Sequence, residues 1–178
     1  MRKERLHMKS LIEKIKEPVL AVLSALLISS FIISHTKVPT ASMMTTINPG
    51  DHLIVNRMPY YYRDPERGEI AVFQFEGDHL IKRVIGVPGD EINIESGKVY
   101  VNGEMLQEDY LDHKENTYLY AGSKIKFPYT IPEGYYFMMG DNRSNSKDSR
   151  VFGPIARTQI IAKAGLCIYP FDRIGILK

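Results

Sequence analysis

"HLIKRVIGV", residues 79–87, runs straight into the turn signal Pro88-Gly89-Asp90. The run is rich in β-branched side chains, which fit a pleated surface, so it reads as a strand. Alternation sets Leu80, Lys82 and Val84 on one face and Ile81, Arg83, Ile85 and Val87 on the other. Both faces are largely apolar, so at least one of the two cations lies against buried surface. The plain reading of such a lysine is that its stem covers the sheet while its amine reaches water. The alternative keeps the amine buried, and the rest of the chain decides between them. Arg83, on the opposite face, reads as structural, paired with an acid that the sequence does not identify.

Outward from this run the signals are mostly those of strands. "HLIVN" (52–56), "EIAVFQF" (69–75), "EINIE" (91–95), "KVYVNG" (98–103), "YYFMMG" (135–140) and "QIIAKAGLCIY" (159–169) are short and β-branched or aromatic. Turn residues separate them, at Asn48-Pro49-Gly50-Asp51, Ser96-Gly97, Asn102-Gly103 and Pro132-Glu133-Gly134. Ser96-Gly97 reads as the two-residue turn of a hairpin. No amphipathic helical pattern alternates with the strands, which disfavours a βαβ architecture. The expected class is mainly β, a compact and mostly antiparallel domain. Residues 107–128 are more polar and are expected to form a loop or a small excursion from the sheet.

The first 34 residues are of another kind. Arg2, Lys3, Arg5, Lys9, Lys14 and Lys16 outweigh Glu4, Glu13 and Glu17, and "PVLAVLSALLISSFIIS" (18–34) carries no charge. Seventeen residues as a helix reach about 26 Å, enough for a hydrocarbon core. The apolar run exceeds a usual secretory-signal core, and "HTKVPTAS" after it lacks a clean small-x-small cleavage pattern. An uncleaved anchor is therefore expected. The basic flank precedes it, which places the N-terminus in the cytoplasm. The expected organisation is a cytoplasmic basic segment at 1–17, a single transmembrane helix at 18–34 and an extracytoplasmic β-rich domain at 35–178, in the plasma membrane.

Composition narrows the functions. The chain has 178 residues, 44% hydrophobic and 25% charged, which is ordinary for a globular domain. A net charge of +2 is too small to imply a nucleic-acid partner. The single cysteine, Cys167, excludes an internal disulfide. The histidines, His7, His35, His52, His79 and His113, show no metal-ligand spacing, so neither metal nor cofactor is expected.

Chemistry therefore falls to ordinary side chains. A free lysine titrates near 10.4, so only about one in 2,500 is neutral at pH 7. Lowering that by ~3 units costs about 4 kcal/mol, which desolvation can supply. A neutral Lys82 can then take a proton from a serine. The best-placed serine is Ser42, in "VPTASMMTTINPGD" (38–51), eight residues past the apolar span. An isolated serine ordinarily caps or turns, but this one lies where a membrane-embedded substrate would emerge. A third stretch, "GDNRSNSKDSR" (140–150), is longer than one surface turn requires. Asp148 and Arg150, on one side of an extended segment, are expected to brace a site from behind, and Ser146 to orient the Lys82 amine. Asn142-Arg143-Ser144 also matches a glycosylation acceptor, read here as a chance match inside the denser motif.

Together the Ser42-Met43 pair, "GDHLIVNR" (50–57), "RGEIAVF" (67–73), "IKRVIGVPGD" (81–90) and "GDNRSNSKDSR" (140–150) resemble the bacterial type I signal peptidases in their short, single-anchor form. The resemblance covers nearly the whole chain. It implies a membrane-bound serine endopeptidase that removes signal peptides from secreted preproteins with Ala-x-Ala-type sites, with lipid membrane and preprotein as its partners and the chain acting as a monomer. It implies Ser42 as nucleophile and Lys82 as general base. Ser146 would orient the lysine, Thr40 would join the Ser42 N–H in the oxyanion hole, and Asp148 and Arg150 would support. Substrate would lie extended between segments 36–42 and 79–82, with Val38, Pro39, Met43, Leu80 and Ile81 lining shallow pockets for small side chains. The chain departs from the pattern at Thr45, where the family usually carries proline. That leaves the turn after the nucleophile freer by a few tenths to about one kcal/mol of chain entropy. Two other readings compete. One is the related Ser/Lys self-cleaving repressors, which begin with a DNA-binding domain where this chain has an apolar span. The other is a non-catalytic membrane-tethered β-domain acting as a binding or assembly subunit.

Overall fold

The structure, a computed structural model, describes residues 2–112, 116–120, 123 and 125–177, with side chains from residue 13 onward except 29–31. The chain divides into two compact units, Met1–Ser34 and His35–Lys178. The first is carried by helix α1, Arg2–Ile32, with Pro18 inside it. Its leucines at 20, 23, 26 and 27 are exposed. The side chains of Arg2, Lys3, Arg5 and Lys9 lie outside the described residues. Among the described residues no helix is long and apolar enough to cross a membrane. Helix α1 covers residues 18–32 of the expected span and gives way to a strand at Ile33.

The elements that follow are, in chain order, β1 (Ile33–Lys37), β2 (His52–Asn56), the one-turn helix α2 (Pro59–Tyr62), β3 (Ile70–Phe75), β4 (Asp78–Gly86), β5 (Glu91–Glu95), β6 (Lys98–Val101), β7 (Glu104–Met105), β8 (Tyr129–Thr130), β9 (Tyr135–Met139), the one-turn helix α3 (Ser149–Phe152), β10 (Ile155–Ala156), β11 (Ile160–Tyr169) and β12 (Gly175–Ile176). The larger sheet runs β1-β2-β11-β3-β4-β9-β10, with β12 beside β11, and the smaller runs β7-β6-β5-β8. The pairs made among β2 to β12 are antiparallel.

Local sequence explains the pairings. Glu95 faces Lys98 across Ser96 and Gly97, with φ of 50° and 76°, the two left-handed residues that a tight hairpin needs. "KVYVNG" is shorter as a strand than its composition suggests, because Asn102 and Gly103 turn the chain into β7. The described part of 107–128 before β8 contains neither strand nor helix.

The two faces of β4 separate as alternation requires. Leu80 and Val84 join Phe73, Met138 and Ile160 in one cluster, while Ile81 packs with Val38, Met43, Ile47 and Val72 in another. A shift in register between Val84 and Gly86 then turns Ile85 into a third cluster, shared with Ile92 and Val99 of the smaller sheet. β9 partners β4 only at Arg83, Val84 and Gly86. Among the described residues, Asp78–Lys82 therefore has β3 on one side and no strand on the other. That half-open edge positions the site.

Candidate active site

A cavity of about 290 Å³ lies along the open edge, lined by residues 36–40, Ser42, Met43 and Ile47 on one side and by 78–82 with Val72 on the other. Ser42 is presented from a tight turn in which Met44 N–H donates to Ala41 O and Ile47 N–H to Met43 O. Met43 and Ile47 are fully buried and hold this turn on the sheet. Lys82 is 3% exposed. It sits opposite Ala71 in the β3–β4 ladder, where a methyl side chain leaves room for its stem. Its Nζ donates to Ser42 Oγ at 2.5 Å and to Ile81 O at 3.0 Å. Burial lowers its pKa from 10.5 to about 8; the Arg150 charge pushes the same way, and Asp148 and Asp141 oppose it. At pH 7 about one such amine in ten is neutral.

The segment after β9 backs this pair. Gly140 sits against both the Ser42 turn and Ser146: a Cβ there would come within 2.3 Å of Ser42 O and 2.2 Å of Ser146 Oγ, so only glycine permits the approach. Asp148 and Arg150 are fully buried and joined by two charge-assisted bonds, Nε to Oδ1 at 2.8 Å and Nη2 to Oδ2 at 2.7 Å. They do not lie on an extended segment as expected. Asp148 caps helix α3, accepting from Arg150 N–H, because a short acidic side chain competes well for free N–H groups at a helix start. Asp148 also accepts from Gly140 N–H at 3.0 Å, and Arg150 donates to the carbonyls of Arg143 and Tyr118.

Arg83 finds its acid in Asp141, at 2.9 and 2.6 Å, and its guanidinium stacks 3.8 Å over the Tyr110 ring. Thr46 Oγ1 donates to the same carboxylate at 2.5 Å. Arg143 pairs with Glu108 and bonds Thr117 Oγ1. Asn142 donates its backbone N–H to Ser42 O at 3.1 Å and its Nδ2 to Ala41 O at 3.0 Å. Sequence reading assigned no part to Asp141, Asn142, Arg143 or Glu108. For the first three the signal available is the density of polar residues in 140–150, and Glu108 lies outside it.

The structure thus gathers Val38, Pro39, Thr40, Ser42, Met43, Leu80, Ile81 and Lys82 around one cavity. Thr40 Oγ1 lies 3.4 Å from Ser42 Oγ. Ser146 is buried, but among the described residues its Oγ has no hydrogen-bond partner. Among the described residues the expected bond to the Lys82 amine is not made, and that amine donates to Ser42 and Ile81. Thr45 has φ +85°, rare for a β-branched residue, and its Oγ1 donates to Tyr110 O at 2.9 Å. Proline, fixed near −65°, cannot take this conformation. The departure at this position is therefore a different turn rather than a looser version of the same one.

The model of the signal peptidase family, peptidase S26, matches residues 11–169. The probable signal peptidase I-2 of Synechocystis sp. is 38% identical over 170 residues, 91% of this chain and 75% of its own. Signal peptidase I of Bacillus amyloliquefaciens is 33% identical over 181 residues, 99% of this chain and 98% of its own. Signal peptidase IB of Staphylococcus aureus is 35% identical over 176 residues, 92% of each. This chain belongs to the signal peptidase family, peptidase S26. Membership makes it a serine peptidase, a hydrolase.

Two stability effects follow from the site. Between about pH 8 and 10.5 the unfolded chain holds a proton on Lys82 that the folded chain has released, so the site's contribution to stability rises with pH across that window. Below it the cost of burying the charge is fully present. Lys82→Met is expected to raise stability at pH 7 by about 1–3 kcal/mol, an advantage that fades as pH approaches 10.5, read by urea unfolding at several pH values. Thr45→Pro, which writes in the residue usual for the family, is expected to lower the urea midpoint by the equivalent of at least about 1 kcal/mol. An unchanged or higher midpoint would contradict the left-handed turn.

Proposed function

We propose that this chain removes signal peptides from exported preproteins, with Ser42 as nucleophile and Lys82 as general base. The observation that carries the reading is the buried Lys82 amine 2.5 Å from Ser42 Oγ, with its pKa lowered to about 8. The relatives carry the substrate class in their names. Neutral Lys82 takes the Ser42 proton as Oγ attacks the scissile carbonyl. The charge that develops on that carbonyl oxygen is met by Ser42 N–H and the Thr40 hydroxyl. Protonated Lys82 then gives its proton to the departing amine, leaving an acyl-enzyme that water hydrolyses. Asp148 and Arg150 hold the backing segment against the dyad.

The substrate lies extended along the open half of β4, bonded through its backbone as an added strand. Val38 spends its own N–H and C=O on Asp51 and Gly50, so by alternation Lys37 and Pro39 turn their backbone groups to the other side. Val38, Ile81 and Leu80 restrict the cavity to small side chains, which fits Ala-x-Ala sites. The uncharged run 18–34 serves as the membrane anchor, N-terminus inside, and brings Ser42 to the outer surface where the scissile bond emerges.

A cleavage assay on full-length protein in detergent tests this. Wild type is expected to cut an Ala-x-Ala preprotein at that site, and Ser42→Ala, Lys82→Ala and Lys82→Arg are not, since arginine cannot lose its proton. The wild-type rate should rise with pH through a midpoint near 8 as the amine deprotonates. Normal activity in Lys82→Arg would remove the general-base assignment, and folded wild type that never cuts would favour a binding subunit. Deleting residues 1–34 should leave a folded domain that cleaves more slowly unless lipid or detergent is added. Equal rates with and without lipid would count against the surface reading.

A further inference from the structure

We infer that Asn142 is a positioning residue that aims the Ser42 N–H of the oxyanion hole; this rests on the peptidase reading above. The peptide unit is planar and trans, so the Ala41 carbonyl and the Ser42 N–H point in opposite directions in one plane. Whatever fixes the carbonyl therefore fixes the N–H. The Ala41 carbonyl accepts twice, from Met44 N–H at 3.1 Å and from Asn142 Nδ2 at 3.0 Å. The Met44 bond is internal to the nucleophile turn and tilts with it. The Asn142 bond ties that peptide to a different part of the fold.

Asn142 fixes the next peptide as well, because its backbone N–H donates to Ser42 O at 3.1 Å. Both peptides flanking the nucleophile are thus held by one residue. Its amide orientation is set independently, since Oδ1 accepts from Asn145 N–H and from Ser144 Oγ, each at 3.2 Å, which leaves Nδ2 to face Ala41. Among the described residues the Ser42 N–H itself carries no hydrogen bond, so it is free to meet a developing negative charge. A donor on the carbonyl side also polarises the amide and strengthens its N–H as a donor. The aim of this donor matters only in the transition state, so its loss falls on kcat rather than on KM.

The test compares wild type, Ser42→Ala, Asn142→Ala and Asn142→Asp as full chains in detergent on an Ala-x-Ala preprotein. Asn142→Asp keeps the acceptor for Asn145 and Ser144 and the backbone N–H to Ser42, and replaces the Nδ2 donor with a charged carboxylate oxygen that cannot bond the Ala41 carbonyl. Both Asn142 variants are expected to lose about ten- to a hundredfold in kcat at the pH plateau, with KM within about twofold and the thermal midpoint unchanged. Asn142→Ala should keep the wild-type pH midpoint, because the dyad's proton chemistry is intact. Asn142→Asp with near-normal kcat beside an impaired Asn142→Ala would assign the effect to the 142–145 turn and overturn the proposal. A loss confined to KM or to thermal stability would do the same. Wild type as silent as Ser42→Ala would overturn the peptidase reading and this inference with it.

Discussion

A lysine amine held out of water beside a serine is the constraint around which this domain is arranged. Desolvation disfavours the charged amine, and that penalty leaves a useful fraction of it unprotonated near neutral pH. The penalty must be offset by structure that gains nothing from the lysine. The offset comes from the two apolar clusters that meet across β3 and β4, and from Ala71, whose small side chain accommodates the stem. A tidier packing of apolar side chains around position 82 would hold the domain together better and do no chemistry.

The backing of the site is made of charge rather than hydrocarbon. Arg83, Arg143 and Arg150 are buried, and each meets a carboxylate, from Asp141, Glu108 and Asp148 respectively. Arginine suits this work because its planar guanidinium stays charged, keeps several donors in a fixed fork and stacks on an aromatic ring, as Arg83 does on Tyr110. Such pairs contribute little net stability, since desolvating both ions costs about as much as their attraction returns. What they add here is geometric definition. Any shift of 140–150 away from β4 would leave an unpaired ion in a dry place, so the segment has one acceptable position.

Much of this was legible in the chain itself. Strands with turn residues at their ends, such as 52–56 and 91–95, have the bounds expected of them, because alternation and turn chemistry are local. Lys82 stood out because a cation inside an apolar run is locally anomalous. Topology was not legible. Nothing near 160–169 announces that β11 lies between β2 and β3. For the same reason the partner of Arg83 was unnamed: Asp141 is one of several acids, and only the pairing of β9 with β4 brings it close. Ser146 shows the opposite case, a side chain assigned to the site whose hydroxyl turns to no acceptor among the described residues. The unusual backbone at Thr45 was hidden because composition carries no φ angle.

The bond from Asn142 to Ala41 spans 101 positions of sequence. A ribosome makes Ser42 long before it makes the residue that bonds both of its flanking peptides. During that interval the chain has its serine and its lysine in β4, but not the segment that backs both. The order of synthesis thus withholds the finished Ser42–Lys82 arrangement until the segment 140–150 has emerged and folded. A peptidase gains from being harmless while still half-made.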